Sequence, residues 1–307
     1  LVWQQKLTPH QQEMEAALAK LIAWPYRERT VSFKLPEFID VVLNAGDSRA
    51  AFGATIGQSL PNWGKVANES RGRTVAMANL YTDADSLAAR REQAQSLLDK
   101  SATLHLRDDA LPGLLSTVLH EATHNLGPSH EYTFQGKTDS QAFGGGLSSM
   151  MEELKAQSGA LYYLDLLVKK GLITEELRRQ SYVDSVVWAF GHIAQGMTNE
   201  DGTRKPYSQL AAIQLGVLMD EGAVVWDPSA PAANGSDVGA FKLNFEKFPT
   251  ACEKLMRDVA RVKAKNDKKG AEGLAKKYVE GDKIPQGKIA ERVLRFPKNS
   301  FVYSVDL

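Results

Sequence analysis

The segment His120-Glu121-Ala122-Thr123-His124 places two histidines four residues apart with a glutamate next to the first. On a helix, residues four apart are offset by about 40° around the axis and about 6 Å along it, so both imidazoles can face one metal ion. Glu121 projects about 100° further round, where its carboxylate reaches a water molecule on the metal rather than the metal itself. This pattern is typical of zinc hydrolases, in which the two histidines bind the ion and the glutamate is the general base.

The same pentapeptide also recurs by chance on surface helices, where the two histidines are ordinary solvent-facing residues. Two features favour a buried site here. The positions between and just beyond the histidines are uncharged apart from Glu121, and the rest of the segment is apolar. Burying His120, Glu121 and His124 together without a partner would be costly, and a bound metal removes that cost.

A hydrolytic zinc site takes three protein ligands and keeps one position open for water. No third histidine follows at short spacing, and His130 lies six residues beyond His124, past a Gly-Pro break, where it fits a loop. The alternative third ligand is a carboxylate from a second helix, on which Glu152 and Glu153 lie between apolar residues. A Glu-Glu pair on a helix is most often solvated, but apolar neighbours on both sides favour burial.

The elements that must position these residues are mostly helical. Thr8 is expected to cap a first helix with Pro9 at its first position, and Asp108 or Asp109 to cap the helix that carries the histidines and stops at Gly127-Pro128. Periodicity and stop signals predict helices over residues 8–24, 36–46, 83–100, 109–126, 147–170, 174–198, 207–221 and 249–265.

The β-structure is predicted to be minor. Residues 224–226 and 241–245 are rich in β-branched and aromatic residues and are expected to pair as a hairpin across the loop 227–237. Residues 52–81 are rich in Gly, Ser, Pro and Asn, which predicts irregular chain with one short strand around residues 74–77. The predicted fold class is therefore mainly α with minor β.

Composition excludes several classes of protein. With 43% hydrophobic and 24% charged residues the chain is globular, and 37 basic against 37 acidic residues give no net field toward nucleic acid or an acidic membrane. A single cysteine, Cys252, excludes an internal disulfide framework and cysteine-based metal sites. No apolar run approaches the roughly 18–20 residues of a membrane span. We expect a soluble protein, with the cytoplasm favoured over the periplasm or secretion.

One segment departs from this charge balance. Between Lys242 and Lys288 there are thirteen Lys and Arg against seven Asp and Glu. The segment lacks the interleaved aromatic residues that stack on bases, so a solvated helical face is favoured over a nucleic-acid patch, and no nucleic-acid partner is expected.

Residues 152–162 read Glu-Glu-Leu-Lys-Ala-Gln-Ser-Gly-Ala-Leu-Tyr. This segment resembles the Glu-Glu-Cys-Arg-Ala-Glu motif, followed by small residues and Leu-Tyr, of the dipeptidyl peptidase III family of zinc exopeptidases. The resemblance implies that Glu153 is the third zinc ligand, beside His120 and His124. It also implies that Glu152 and Gln157 orient the ligands from behind, although Gln157 replaces an acid of the family.

Two further segments extend the resemblance, which runs in order from about Leu60 to the C-terminus. Ser59-Leu60-Pro61-Asn62 resembles the family's Asn-x-Pro-Asn segment, which implies that Asn62 holds the N-terminal end of a peptide substrate. Residues 188–192 match a Trp-x-x-x-His segment, which implies that His192 stabilises the transition state. The chain departs from the family's usual zinc helix, which has one more residue between its histidines.

The family's upstream Glu and Tyr, which bind the substrate amine and polarise the scissile carbonyl, would fall before Leu1. We therefore expect a two-lobe architecture. Residues 1–60 would be a linking segment packed on the other lobe, residues 61–307 would form the zinc-binding catalytic lobe, and the remaining N-terminal lobe of the same precursor would be a partner.

Two functions compete at this point. The first is a zinc-dependent peptidase with one Zn²⁺ per chain that cleaves short peptides and releases dipeptides from the N-terminus. The second is a catalytically weak or inactive zinc-containing binding or structural module. Glu121 favours the peptidase, because a module that needs only the metal has no use for a base at that position.

Overall fold

The computed structural model describes residues 2–33, 35, 37–39, 49–50, 53–54, 57–60, 73–77 and 82–296. Its helices are α1 (Val2–Leu7), α2 (Gln11–Ile22), α3 (Ala84–Leu97), α4 (Lys100–Thr103), α5 (Leu111–His124), α6 (Asp139–Phe143), α7 (Gly145–Lys169), α8 (Glu175–Ile193), α9 (Pro206–Asp220), α10 (Phe248–Ala264), α11 (Lys268–Tyr278) and α12 (Gln286–Val293). The predicted fold class, mainly α with minor β, is confirmed.

The strands form small sheets. They are β1 (Glu37–Ile39), β2 (Arg49–Ala50), β3 (Gly53–Ala54), β4 (Gly57–Leu60), β5 (Arg73–Met77), β6 (Thr133–Phe134), β7 (Lys137–Thr138), β8 (Val224–Pro231) and β9 (Val238–Leu243). β5 pairs in parallel with β1 and antiparallel with β4, while β2–β3, β6–β7 and β8–β9 are antiparallel pairs.

Helix α7 is the central element of the helical core. It runs for 25 residues without a proline and is buried along most of its length. The helix ends at Lys169, two residues before Gly171, which has a positive φ of 67°. It packs most extensively against α5, α9 and α10, with further contacts from α6, α8 and α11. Any side chain of α7 that faces α5 is therefore held at a fixed distance from that helix.

The contact between α5 and α7 is close at one point. A Cβ added to Gly159 on α7 would lie 2.3 Å from Cγ2 and 2.4 Å from Oγ1 of Thr123 on α5. Only a glycine fits there, because real Cβ atoms do not approach so closely. The hydroxyl of Thr123 donates to the Leu119 carbonyl at 2.7 Å, which fixes the side chain that occupies this space.

The C-terminal end of α5 is held by the N-terminal segment. The buried Glu15 carboxylate on α2 accepts hydrogen bonds from the Gly127 amide at 2.8 Å and from the Tyr26 hydroxyl at 2.6 Å. Arg29 donates to the Asn125 carbonyl at 2.8 Å. These groups satisfy the polar backbone that a helix end leaves without partners, and they fix the turn after the second histidine.

Several predicted elements are confirmed. The helix with the histidines, the long helix α7 and the helix capped by Thr174 are present, and Thr174 accepts from the Leu177 amide. The hairpin pairs Val224 with Leu243 and Trp226 with Phe241, and β8 extends through Pro231 into the predicted loop. The short strand predicted around residues 74–77 is β5, but the prediction of a single strand within residues 52–81 is wrong, because β3 and β4 also lie there.

Three further local predictions are wrong. The N-cap of α5 is Ala110 rather than Asp108 or Asp109, with no side-chain cap hydrogen bond, although Asp109 accepts from the Leu111 amide at 3.0 Å. Thr8 does not begin a helix: Val2–Leu7 is already helical and Thr8–His10 forms a 3-10 turn, because the buried Leu7 anchors the upstream turn to the core. The helix predicted over 36–46 is contradicted at Glu37–Ile39, which forms β1, because pairing with β5 overrides the local pattern. Residues 40–48 lie outside the described residues.

The N-terminal helices share the main hydrophobic core. Leu7, Met14 and Leu18 belong to the same buried cluster as Leu115 and Val118 of α5. The division of the chain near residue 60 stays a prediction. Within the described ranges, no helix combines the length and apolarity needed to cross a bilayer.

We expect Gly159→Ala to lower the free energy of unfolding by about 1–3 kcal/mol, because the added methyl group forces α5 and α7 apart. Gly273→Ala is the matched control, since Gly273 also lies inside a helix but has open space where its Cβ would be. Loss of a helical glycine there should stabilise the protein by about 0.5–1 kcal/mol. Urea denaturation followed by circular dichroism measures both, and changes of the same sign would contradict the close-packing argument.

Candidate metal centre

Three side chains from α5 and α7 converge on one point. Nε2 of His120 lies 3.1 Å from Oε2 of Glu153 and 3.2 Å from Nε2 of His124, and Nε2 of His124 lies 3.8 Å from the same Glu153 oxygen. Two imidazole nitrogens and a carboxylate oxygen thus form a compact triangle that could hold a metal ion.

The helices place these groups through simple periodicity. His120 and His124 are one turn apart at the end of α5, each directly after a buried residue, Leu119 and Thr123. Glu153 lies six residues before Gly159 on α7, so the close contact between the two helices sets its distance from the histidines. The side chains of His120, His124 and Glu153 are 12%, 26% and 22% exposed, which leaves the triangle partly open to solvent.

The far side of each imidazole is also bonded. Nδ1 of His120 lies 3.2 Å from Oε1 of Gln157, and Nδ1 of His124 lies 2.7 Å from Oε1 of Glu152. Because an amide or carboxylate oxygen can only accept, each histidine donates from Nδ1 and keeps Nε2 for the triangle. Gln157, which replaces an acid in the motif, therefore still supplies an acceptor.

Electrostatics within the triangle favour a cation. Burial opposes protonation of His120, but its hydrogen bond with Glu153 and the charge of that carboxylate raise its pKa on balance. Burial alone would raise the pKa of Glu153, yet the hydrogen bond from His120 and the charge of His124 lower it. The carboxylate is thus stabilised as an anion by positive charge in the triangle, the role that a divalent ion would take over.

Glu121 lies beside the triangle. Its negative charge contributes to the raised pKa of both His120 and Tyr207. Its backbone carbonyl accepts a hydrogen bond from the Asn125 side chain at 3.0 Å.

Tyr207 is a site residue that the sequence motifs did not indicate. It lies at the start of α9, and its hydroxyl donates to Oε2 of Glu153 at 2.7 Å. Burial and the charge of Glu153 raise its pKa, so the hydroxyl stays a donor. The sequence carries no signal for this contact, because Tyr207 lies 54 residues beyond its partner.

His192 reaches the site through aromatic contacts. Its ring lies 4.4 Å from the Trp188 ring and is stacked on Tyr207 with centroids 5.5 Å apart and an interplanar angle of 28°. Trp188, His192 and Tyr207 thus form an aromatic row that ends at Glu153. Its role in catalysis stays a prediction.

Two other candidates lie elsewhere. The His130 side chain is 77% exposed on a loop and lies outside the triangle, in agreement with a loop histidine. Asn62, the candidate for holding the substrate's N-terminal end, lies outside the described residues, although Ser59 belongs to β4, where it is paired with Thr74.

Comparisons with solved structures identify the fold. The structure of DPP III from Caldithrix abyssi matches with a TM-score of 0.76 and 23% identity, covering 97% of this chain and 53% of that one. The chain has a dipeptidyl peptidase III-like fold. The structure of dipeptidyl-peptidase III from Corallococcus sp. strain EGB matches with a TM-score of 0.72 and 24% identity, covering 96% of this chain and 51% of that one.

Sequence comparisons are less specific. No family model matches the chain. The Arabidopsis thaliana protein Nudix hydrolase 3 is 26% identical over 255 residues, which cover 82% of this chain and 30% of the plant protein. That match does not assign the activity in the plant protein's name to the shared segment. The chain spans about half the length of the solved structures and less than a third of the plant protein.

Proposed function

We propose that this chain is the catalytic part of a zinc-dependent peptidase that cleaves short peptides and releases dipeptides from their N-termini. The observation that carries the proposal is the triangle of His120, His124 and Glu153 with Glu121 beside it. The dipeptidyl peptidase III-like fold supports the proposal, since the similar structures bear that name.

The donor set suits zinc. A tetrahedral ion with bonds of about 2.0–2.2 Å separates its ligand atoms by roughly 3.3–3.6 Å. The three observed separations of 3.1, 3.2 and 3.8 Å bracket this range. Nitrogen and carboxylate donors in this number also leave one position for water, as hydrolytic sites require.

The chain's own residues divide the chemistry among them. When bound, zinc supplies an electrophile that polarises a carbonyl and lowers the pKa of water. Glu121 accepts the proton of the attacking water and returns it to the leaving amine. Tyr207 holds Glu153 in place through its hydrogen bond, and His192 supplies a donor to the oxyanion of the tetrahedral intermediate.

The competing function is a zinc-containing binding module without catalysis. It shares the three ligands and the groups behind them, so metal binding alone does not separate the two functions. Glu121 does, because it is outside the ligand set and yet lies where its charge acts on His120 and Tyr207. We therefore favour the peptidase.

We expect about one tightly bound zinc ion per chain, lost in Glu153→Ala and kept in Glu121→Ala. A ligand donates an electron pair to the ion, whereas a base acts on water. Glu152→Ala should keep the metal with an affinity lowered about 10- to 100-fold, because Glu152 orients His124 without bonding the ion. Elemental analysis after dialysis measures all three, and loss of zinc from Glu121→Ala together with retention in Glu153→Ala would reverse the assigned roles.

Glu121→Gln should lower peptide hydrolysis by about 10²- to 10⁴-fold with zinc content unchanged, because the amide cannot accept the proton. A peptide with a chromogenic amide after its second residue provides the rate, and mass spectrometry of a longer peptide identifies the released product. Zinc-loaded wild-type protein that hydrolyses neither peptide would favour the binding module. Release of single amino acids or internal fragments would contradict dipeptide release.

Two substitutions at His192 separate catalysis from packing. His192→Ala should lower turnover by about 10²- to 10³-fold, as loss of one oxyanion donor does, without loss of zinc. His192→Phe keeps a ring between Trp188 and Tyr207 but has no donor, so its turnover should fall equally. Near-normal turnover of the phenylalanine variant would show that His192 serves only to support Tyr207.

A further inference from the structure

A cluster of buried charges lies behind the metal centre. It consists of Asp139 on α6, Glu152 and Lys155 on α7, and Lys263 on α10. The side chains of Lys155 and Lys263 are fully buried, and that of Asp139 is 7% exposed. Two ammonium groups and two carboxylates make the buried charge cluster neutral as a whole.

Lys263 links the two carboxylates. Its Nζ forms an ion pair with Oε2 of Glu152 at 2.6 Å and donates a hydrogen bond to Oδ2 of Asp139. The charges of Glu152 and Asp139 outweigh burial and raise the pKa of Lys263, so it remains an ammonium. Lys263 lies 111 residues from Glu152 in sequence, and the contact is made because α10 packs against α7.

Lys155 has a different set of partners. Its Nζ lies 3.2 Å from Oε1 of Glu152 and donates to the carbonyls of Leu126 at 3.1 Å and Pro128 at 3.3 Å. Lys155 thus donates hydrogen bonds to two backbone carbonyls and forms an ion pair with the Glu152 carboxylate. Lys155 therefore ties the turn after α5 to α7.

The Glu152 carboxylate is thus held from three directions. Oε1 faces Nδ1 of His124 at 2.7 Å and Nζ of Lys155, while Oε2 faces Nζ of Lys263. The neighbouring Glu153 points into the ligand triangle instead. Both lysines contact Glu152, which lies behind the ligand His124, and neither is paired with Glu153, which belongs to the ligand set.

Stability does not account for this arrangement. Taking four charges out of water is costly, and replacing a buried ion pair by apolar residues of similar volume is often neutral or stabilising. What the ions provide is a single orientation for the carboxylate that faces His124, because each of its oxygens has a fixed cationic partner.

We propose that Lys263, held by Asp139, is a positioning residue for the metal centre. It fixes Glu152 so that this carboxylate receives the Nδ1–H of His124 and directs Nε2 toward the ion. The inference rests on the proposed zinc site, and it makes α10, which contributes no residue to the triangle, part of the metal-binding machinery.

The test uses the full chain with Lys263→Met and Asp139→Leu combined, because Lys263→Met alone would leave a buried carboxylate without its partner. The control is Lys254→Met, which removes an ammonium group from the same helix, α10. The Lys254 ammonium pairs with Asp258 at the surface. Zinc affinity is measured by competition with a chelator, and the free energy of unfolding of each metal-free protein by urea denaturation. Nitrogen-15 NMR of the zinc-loaded proteins follows Nδ1 of His124.

We expect the double variant to bind zinc about 10- to 100-fold more weakly than wild type, the range for groups that orient ligands, while Lys254→Met binds normally. The His124 Nδ1 signal should lose its hydrogen-bonded character in the double variant alone. Unchanged zinc affinity in the double variant would overturn the inference. The inference would also be overturned if zinc binding were weaker while the His124 Nδ1 signal was unchanged and the free energy of unfolding fell by a matching amount. Failure of wild type to bind zinc would instead refute the proposed function.

Discussion

The candidate site depends on how closely α5 can approach α7. The approach is set by one side-chain pair, in which the missing Cβ of Gly159 leaves room for Thr123, a residue inside the His120–His124 motif. Since helices are stiff over two turns, this contact also fixes the distance from the histidines to Glu153. The buried carboxylate of Glu15 and the lysine at position 155 then hold the turn that follows α5, so the motif cannot shift along its axis.

The site is built in layers that run from the partly exposed triangle to fully buried charged groups behind it. The triangle is partly exposed, so water could reach a metal ion held there. Behind it, Gln157 and Glu152 set the imidazole tautomers, and behind Glu152 the fully buried ammonium groups fix the carboxylate. Each layer restricts the orientation of the next. A neutral arrangement of paired charges lets the layers coexist with an apolar core, because no single ion is buried without its partner.

The aromatic row gives the site a second wall. Trp188, His192 and Tyr207 come from two helices, α8 and α9, that meet only in the folded chain. The row ends at the Glu153 oxygen that faces both histidines. The chain is similar to about half of the length of the solved dipeptidyl peptidase III structures, and the triangle that could hold a metal ion lies within the described residues. Binding of the substrate's N-terminal amine stays a prediction that involves Asn62 and the other lobe.

The sequence by itself determined the elements whose signals are local: the helix with His120 and His124, the long α7, the helix α8 and the β8–β9 hairpin. It also indicated Glu153 as a third ligand, because residues 152–162 resemble a family motif whose second glutamate binds the metal. Tertiary structure alone decided the rest. Glu37–Ile39 became a strand through pairing with β5, and Tyr207 and Lys263 joined the site from positions 54 and 111 residues beyond their glutamate partners. Periodicity and capping report only the contacts within a few residues along the chain, whereas helix packing brings together groups whose separation in sequence carries no signal.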